Sequence, residues 1–186
     1  MKTRARLALS VTIVFLSAGA AGRQTGSAAG QALTGPLAAL DVLTGTWTAK
    51  GSGFNTTLRY RWLLDGRVLE AANEVSGGDG RVLARYRGMY AWDGGRKEIV
   101  FWTAAESGEV HRGRAWWADG VLWHEADVSG GRIEAYASAV RPTDGRLEYF
   151  AAYGSKRAGP ELLETKPLVY VRGESGGERM ERLETR

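Results

Sequence analysis

Few residues in this chain could carry chemistry. His111 and His124 are the only imidazoles among 186 residues, and there is no cysteine. The absence of thiols excludes disulfides, thiolate zinc sites, iron–sulfur clusters, cysteine nucleophiles and a lipid-modified N-terminal cysteine. A histidine beside a carboxylate could move protons, and His124 with Glu134 is the pair the sequence offers for such work. A single imidazole could also hold a haem iron. No Gly-x-Ser-x-Gly elbow, phosphate-binding loop, His-Glu-x-x-His helix or dinucleotide fingerprint occurs. Ser52, Ser76, Ser107, Ser129 and Ser155 fall in or beside turns, where local hydrogen bonding explains them. Aromatic surface, by contrast, is plentiful, with 7 Trp, 7 Tyr and 4 Phe. Rings with a few polar tips are what small-molecule pockets use for walls.

The elements that must position these residues are strands. From Gly45 onward apolar and polar residues alternate with period two, in segments rich in Val, Thr, Tyr and Trp. Glycine-rich turns interrupt them about every 8–12 residues. The 26 glycines follow no triplet period and proline numbers only 4, so the glycine serves turns and not a collagen-like repeat. Asp65-Gly66 and Asp119-Gly120 supply the two positive φ values of a type I′ hairpin, and such a turn fixes the register of both arms. The first turn predicts Trp62 opposite Leu69, Arg61 opposite Glu70 and Leu58 opposite Asn73. Leu58, Tyr60, Trp62, Leu69 and Ala71 then share one face, with charged pairs on the other. The second predicts Trp116 opposite Trp123, Ala115 opposite His124 and Arg114 opposite Glu125. His111, Gly113, Ala115, Trp117, Leu122, His124, Ala126 and Val128 form its inward face, and Trp116 and Trp123 an exposed aromatic patch.

His111 falls opposite Val128, four residues from His124, so the two backbones stand about 13 Å apart at roughly 3.3 Å per residue. No single metal ion bridges that gap. Further strands are expected over 46–50, 81–92, 98–103, 132–140, 146–153 and 168–172. So many antiparallel strands joined by short turns close on themselves, because closure removes unpaired edges. The fold class is therefore all-β, an antiparallel meander closed into a barrel of about 8–10 strands, with a short N-terminal helix over 36–43. A sandwich is the competing solution and needs longer crossings. Residues 154–166 form the one long connection, with Pro160 and Leu162-Leu163 as a half-turn lid. Tyr60, Trp62, Asn73, Tyr86, Tyr90, Trp102, Trp117 and His124 are the residues expected to line an interior ligand site; a solid core is the plainer reading of the same rings.

The ends of the chain read differently. Lys2, Arg4 and Arg6 precede an apolar run over 7–16 and then small residues, the pattern of a secretory signal peptide over 1–20. The run is too short to span a membrane, which takes roughly 20 residues. Three of the positive charges behind the formal net charge of +4 leave with that peptide. The arginines that remain alternate with acids, so nucleic acid is not an expected partner. Residues 21–35 are expected to be a disordered linker, 36–172 the barrel domain and 173–186 a charged tail. Localisation is expected to be periplasmic or secreted, with no transmembrane segment in the mature chain.

Gly45-Thr46-Trp47, entering the first strand after a short apolar helix, resembles the Gly-x-Trp signature of lipocalins and related calycin barrels. The run from Tyr86 to Asp93, followed by Arg96 to Trp102, is similar to bacterial exported lipocalin-like domains of unknown function. The resemblance spans roughly residues 38–172. It implies a calycin-like barrel that binds a small apolar ligand, with Arg172 as the counterpart of an arginine that lipocalins stack on the signature tryptophan. The similar haem barrels called nitrobindins carry their histidine late in the chain, where this sequence has none, so no cofactor is expected. The function expected is non-catalytic binding of a small apolar or amphipathic ligand inside an exported barrel. The alternatives are a module that meets a protein or envelope partner through exposed aromatics, and a histidine–carboxylate isomerase or hydrolase on the same scaffold.

Overall fold

A computed structural model describes residues 35–173. The expected signal peptide, the linker apart from Gly35 and the tail apart from Gly173 lie outside the described residues. Ten antiparallel strands, β1(Gly45–Gly51), β2(Phe54–Leu63), β3(Val68–Gly77), β4(Val82–Asp93), β5(Glu98–Ala105), β6(Val110–Ala118), β7(Val121–Ser129), β8(Ala135–Thr143), β9(Arg146–Tyr153) and β10(Leu168–Arg172), run as a meander. Each pairs with its neighbours in sequence, and β1 pairs with β10 to close the barrel. The all-β closed barrel is thus the architecture that the turns dictate.

Hairpin registers follow the turns. Trp62 lies opposite Leu69, Arg61 opposite Glu70 and Leu58 opposite Asn73. Asp65 and Gly66 both have positive φ, at 53° and 82°. Asp119 and Gly120 do the same, at 52° and 74°, and set Trp116 against Trp123 and Arg114 against Glu125. Outward charges pair across strands as that register requires: Arg61 meets Glu70, Arg114 reaches Glu125 at 2.9 Å and Arg85 reaches Glu74 at 2.9 Å. Inward positions hold the main core, in which Leu40, Leu43, Leu69, Leu122 and Leu147 are at most 1% exposed.

Three expectations are corrected. The N-terminal helix is a 3-10 helix over Ala38–Leu43, shorter than 36–43, and no side chain caps its start. Pro160–Glu164 is also a 3-10 helix, but it lies against the outside of β8 and β9 and so is no lid over the mouth. Leu162, 4% exposed, packs there with Val121, Trp123, Ala139 and Phe150 in a second, smaller core. Trp123 is consequently 8% exposed, and the outward Trp116–Trp123 pair is not a free aromatic patch. Trp116 itself is half-buried with the Arg114 guanidinium 5.0 Å above its ring.

Candidate functional site

The first 3-10 helix lies across one end of the barrel, its floor. This is the end that carries the turns β2–β3, β4–β5, β6–β7 and β8–β9. Trp47 Nε1 donates to the Leu43 carbonyl at 2.7 Å, and Trp62 Nε1 donates to Asp41 Oδ1 at 2.8 Å, so two indoles fasten that helix across the opening. Arg172 stacks on Trp47, its guanidinium carbon 4.6 Å from the ring centre. A side chain at Gly45, where φ is +115°, would press on that guanidinium; glycine keeps the stack intact.

Above the floor a polar aromatic layer crosses the interior. His124 and Tyr90 are joined through Nε2 and the phenol at 3.1 Å, and Ser138 Oγ stands 3.1 Å from Nδ1. In a neutral imidazole one ring nitrogen donates and the other accepts, so both nitrogens are satisfied. Burial pushes the His124 imidazole down to about 4, with the Ser138 contact opposing it. Burial also pushes Tyr90 up to about 12 and raises Tyr60, Tyr136 and Tyr149. These phenols are neutral hydrogen-bonding groups, and a neutral, doubly bonded histidine is a wall residue.

Toward the other end the inward side chains are less completely buried. Leu58, Ala71, Tyr149 and Ala151 face inward at mid-depth by their registers yet are only half-buried, as are Asn73 and Tyr86 above them. Thr56 Oγ1 donates to Asn73 Oδ1 at 2.6 Å and lies 3.5 Å from the Tyr170 hydroxyl. Tyr136 and Tyr149 share a hydrogen bond between their hydroxyls, and His111 Nε2 meets Glu109 Oε1 at 2.6 Å. Back at the floor, beside the 119–120 turn, Trp117 faces inward opposite Leu122, and its Nε1 is a buried donor with no partner among the described residues.

Of the eight residues expected to line the site, Tyr60, Asn73, Tyr86, Tyr90, Trp117 and His124 face the interior, and Trp62 faces inward at the floor, held by Asp41. Trp102 does not. It pairs with Met89 and Arg112 on the outer surface, where it lines a groove of about 500 Å³ with Glu98, Val100 and Glu125. Glu134 does not reach His124 either: it is exposed beyond the end of β8, and the position opposite His124 is Ser138. Tyr136, Tyr149 and Tyr170 are interior residues absent from the expected set, and Tyr153 faces the same way at the exposed rim. Their signal was the alternation of Leu147, Tyr149, Ala151 and Tyr153 in β9. Among the described residues no cluster of three or more metal-ligating side chains exists, and no helix is long and apolar enough to cross a membrane.

The fold has a solved counterpart. The crystal structure of Rv2717c from M. tuberculosis is similar with a TM-score of 0.51 and 16% sequence identity, over 74% of this chain and 97% of that one. At that identity the likeness is one of fold. No family model matches the chain, and no curated protein does.

Proposed function

We propose that this protein is an exported, non-catalytic carrier or sensor that holds one small apolar or amphipathic molecule inside its barrel. The observation that carries the reading is exposure at depth. Leu58, Ala71, Tyr149 and Ala151 point inward at the middle of the barrel and are only partly buried, next to leucines that are fully buried. Incomplete burial of apolar side chains at that depth supports room for a small apolar guest, whose site is a concave and mostly apolar one. Trp117 Nε1 supports the same reading, since a buried donor without a partner costs about 1–3 kcal/mol unless something comes to accept from it. Tyr60, Tyr90 and Asn73 would orient a polar atom of the guest, and Trp117 would close on its far end.

The His124–Glu134 enzyme loses its pair, because both His124 nitrogens are bonded to Tyr90 and Ser138 and no carboxylate reaches them; His111 with Glu109 at the rim is the one histidine–carboxylate contact among the described residues. The exposed-aromatic module loses Trp123 to the second core.

Native mass spectrometry of the purified protein, together with displacement of a lipophilic fluorescent dye by medium-chain alcohols, tests the proposal. A bound guest or saturable dye uptake is expected. Ala151→Phe, which fills the half-open centre, should weaken dye binding at least about tenfold, the equivalent of roughly 1.4 kcal/mol. No guest and no uptake by the unaltered protein would overturn the reading.

A further inference from the structure

At the rim of the barrel the Glu109 carboxylate meets a histidine in place of an arginine. On the outer surface Glu70, Glu74, Glu125 and Glu148 each meet an arginine. Glu109, at the rim between β5 and β6, has His111 as its only ionic partner among the described residues. One of its oxygens bonds His111 Nε2 at 2.6 Å, and the other lies over Gly131, where any side chain would collide with it. The carboxylate is thus held by His111, and among the described residues no arginine or lysine forms an ion pair with it.

Aromatic rings gather around it. The His111 ring lies 4.9 Å from Tyr136, tilted by 53°, and Tyr136 lies 5.6 Å from Tyr153, tilted by 48°. Tyr86 enters from β4 opposite Ala105, whose backbone N–H donates to the Glu109 carbonyl at 2.8 Å. Burial raises the pKa of Tyr86 and of Tyr153, and the Glu109 charge adds to both, so carboxylate and phenols share one field. Tyr153 remains 66% exposed, which leaves its ring available to something arriving from solvent.

We infer that Tyr86, Tyr136 and Tyr153 with Glu109 form a cage at the mouth for the organic ammonium head of the guest, a quaternary or alkylated amine whose chain enters the barrel. This rests on the interior-binding reading above and specifies its ligand class. Ring faces are negative and attract a diffuse cation by about 0.5–2 kcal/mol, the more so when water is excluded. The fixed carboxylate adds charge of the matching sign and disfavours a carboxylate-headed chain. A small metal ion would find too few oxygen ligands here, since calcium takes 6–8 and the rings contribute none.

Three ligands with the same chain separate the two ideas: octyltrimethylammonium, 1-octanol and octanoate, each titrated by calorimetry against the full protein and the variants Glu109→Gln and Tyr153→Leu. The ammonium should bind at least about tenfold more tightly than octanoate, and each variant should erase most of that preference while leaving 1-octanol affinity unchanged. Octanol binding serves at the same time as evidence that each variant is folded with an intact interior. Binding of 1-octanol with no preference for the ammonium, or an equal loss for all three ligands in Glu109→Gln, would overturn the cage and leave the interior site standing. If none of the three binds, both the cage and the interior site fall.

Discussion

His124 shows what burial does to a single titratable residue. It sits 3% exposed between Tyr90 and Ser138, its ring edge-on to Phe101 at 5.2 Å. In the unfolded chain an imidazole titrates near 6.5, whereas here it is held down to about 4. Between those values the unfolded state binds more protons than the folded one, so stability is fully present above pH 6.5 and is lost as the pH falls toward 4. The loss should reach roughly 3 kcal/mol by pH 4, read as a fall in the urea midpoint. In His124→Gln that pH dependence should disappear from this window. Inward placement of His124 was legible in the sequence, because Asp119-Gly120 sets the register on both sides of it. Its partners were not: Tyr90 comes from β4 and Ser138 from β8, and only closure brings them to one ring.

At the scale of elements, turn chemistry decides which predictions hold. The two-residue Asp119-Gly120 loop leaves one possible pairing, and the turn around Asp65-Gly66, although it spans 64–67 with Leu64 also at positive φ, keeps the register centred on that pair. Between β4 and β5 the residues Asp93-Gly94-Gly95 allow several loop lengths, and a shift of one residue turns every side chain to the opposite face. Trp102 was misplaced for that reason: Asp93 pairs with Glu98, which sends Phe101 inward and Trp102 outward. The long connection after β9 has no period at all, so its docking on the outer sheet had no sequence signal beyond the pair Leu162-Leu163. That docking makes its own prediction. Leu162→Ala should cost about 2–4 kcal/mol of stability, as large-to-small changes in a core do. It should also shift tryptophan emission to longer wavelength as Trp123 gains water, and leave interior binding unchanged. An unshifted spectrum with unchanged stability would show that the second core does not form.

On the scale of the whole molecule the seam between first and last strands matters most. Trp47 pairs with Arg172 and Thr48 with Val171, and four further pairs tie β10 to β9. A chain ending at residue 167 lacks β10, so β1 and β9 become unpaired edges ready to accept other chains. Such a chain should elute as oligomers in size-exclusion chromatography and lose dye binding; a monomer with full uptake would show that closure is unnecessary. Arg172→Ala, which keeps the strand and removes only the stack on Trp47, should cost about 0.5–1 kcal/mol. The amino-acid order by itself determined the strands, most of their turns, the inward and outward faces of two hairpins and the tendency to close, because each follows from contacts a few residues apart and a side-chain period of two. Tertiary structure alone decided that the first 3-10 helix is tied across one end, that Trp123 is covered and that His111, Tyr136 and Tyr153 meet at the rim. Those facts depend on residues far apart in the chain meeting across a closed wall, and no local pattern encodes how far around the barrel a side chain will travel.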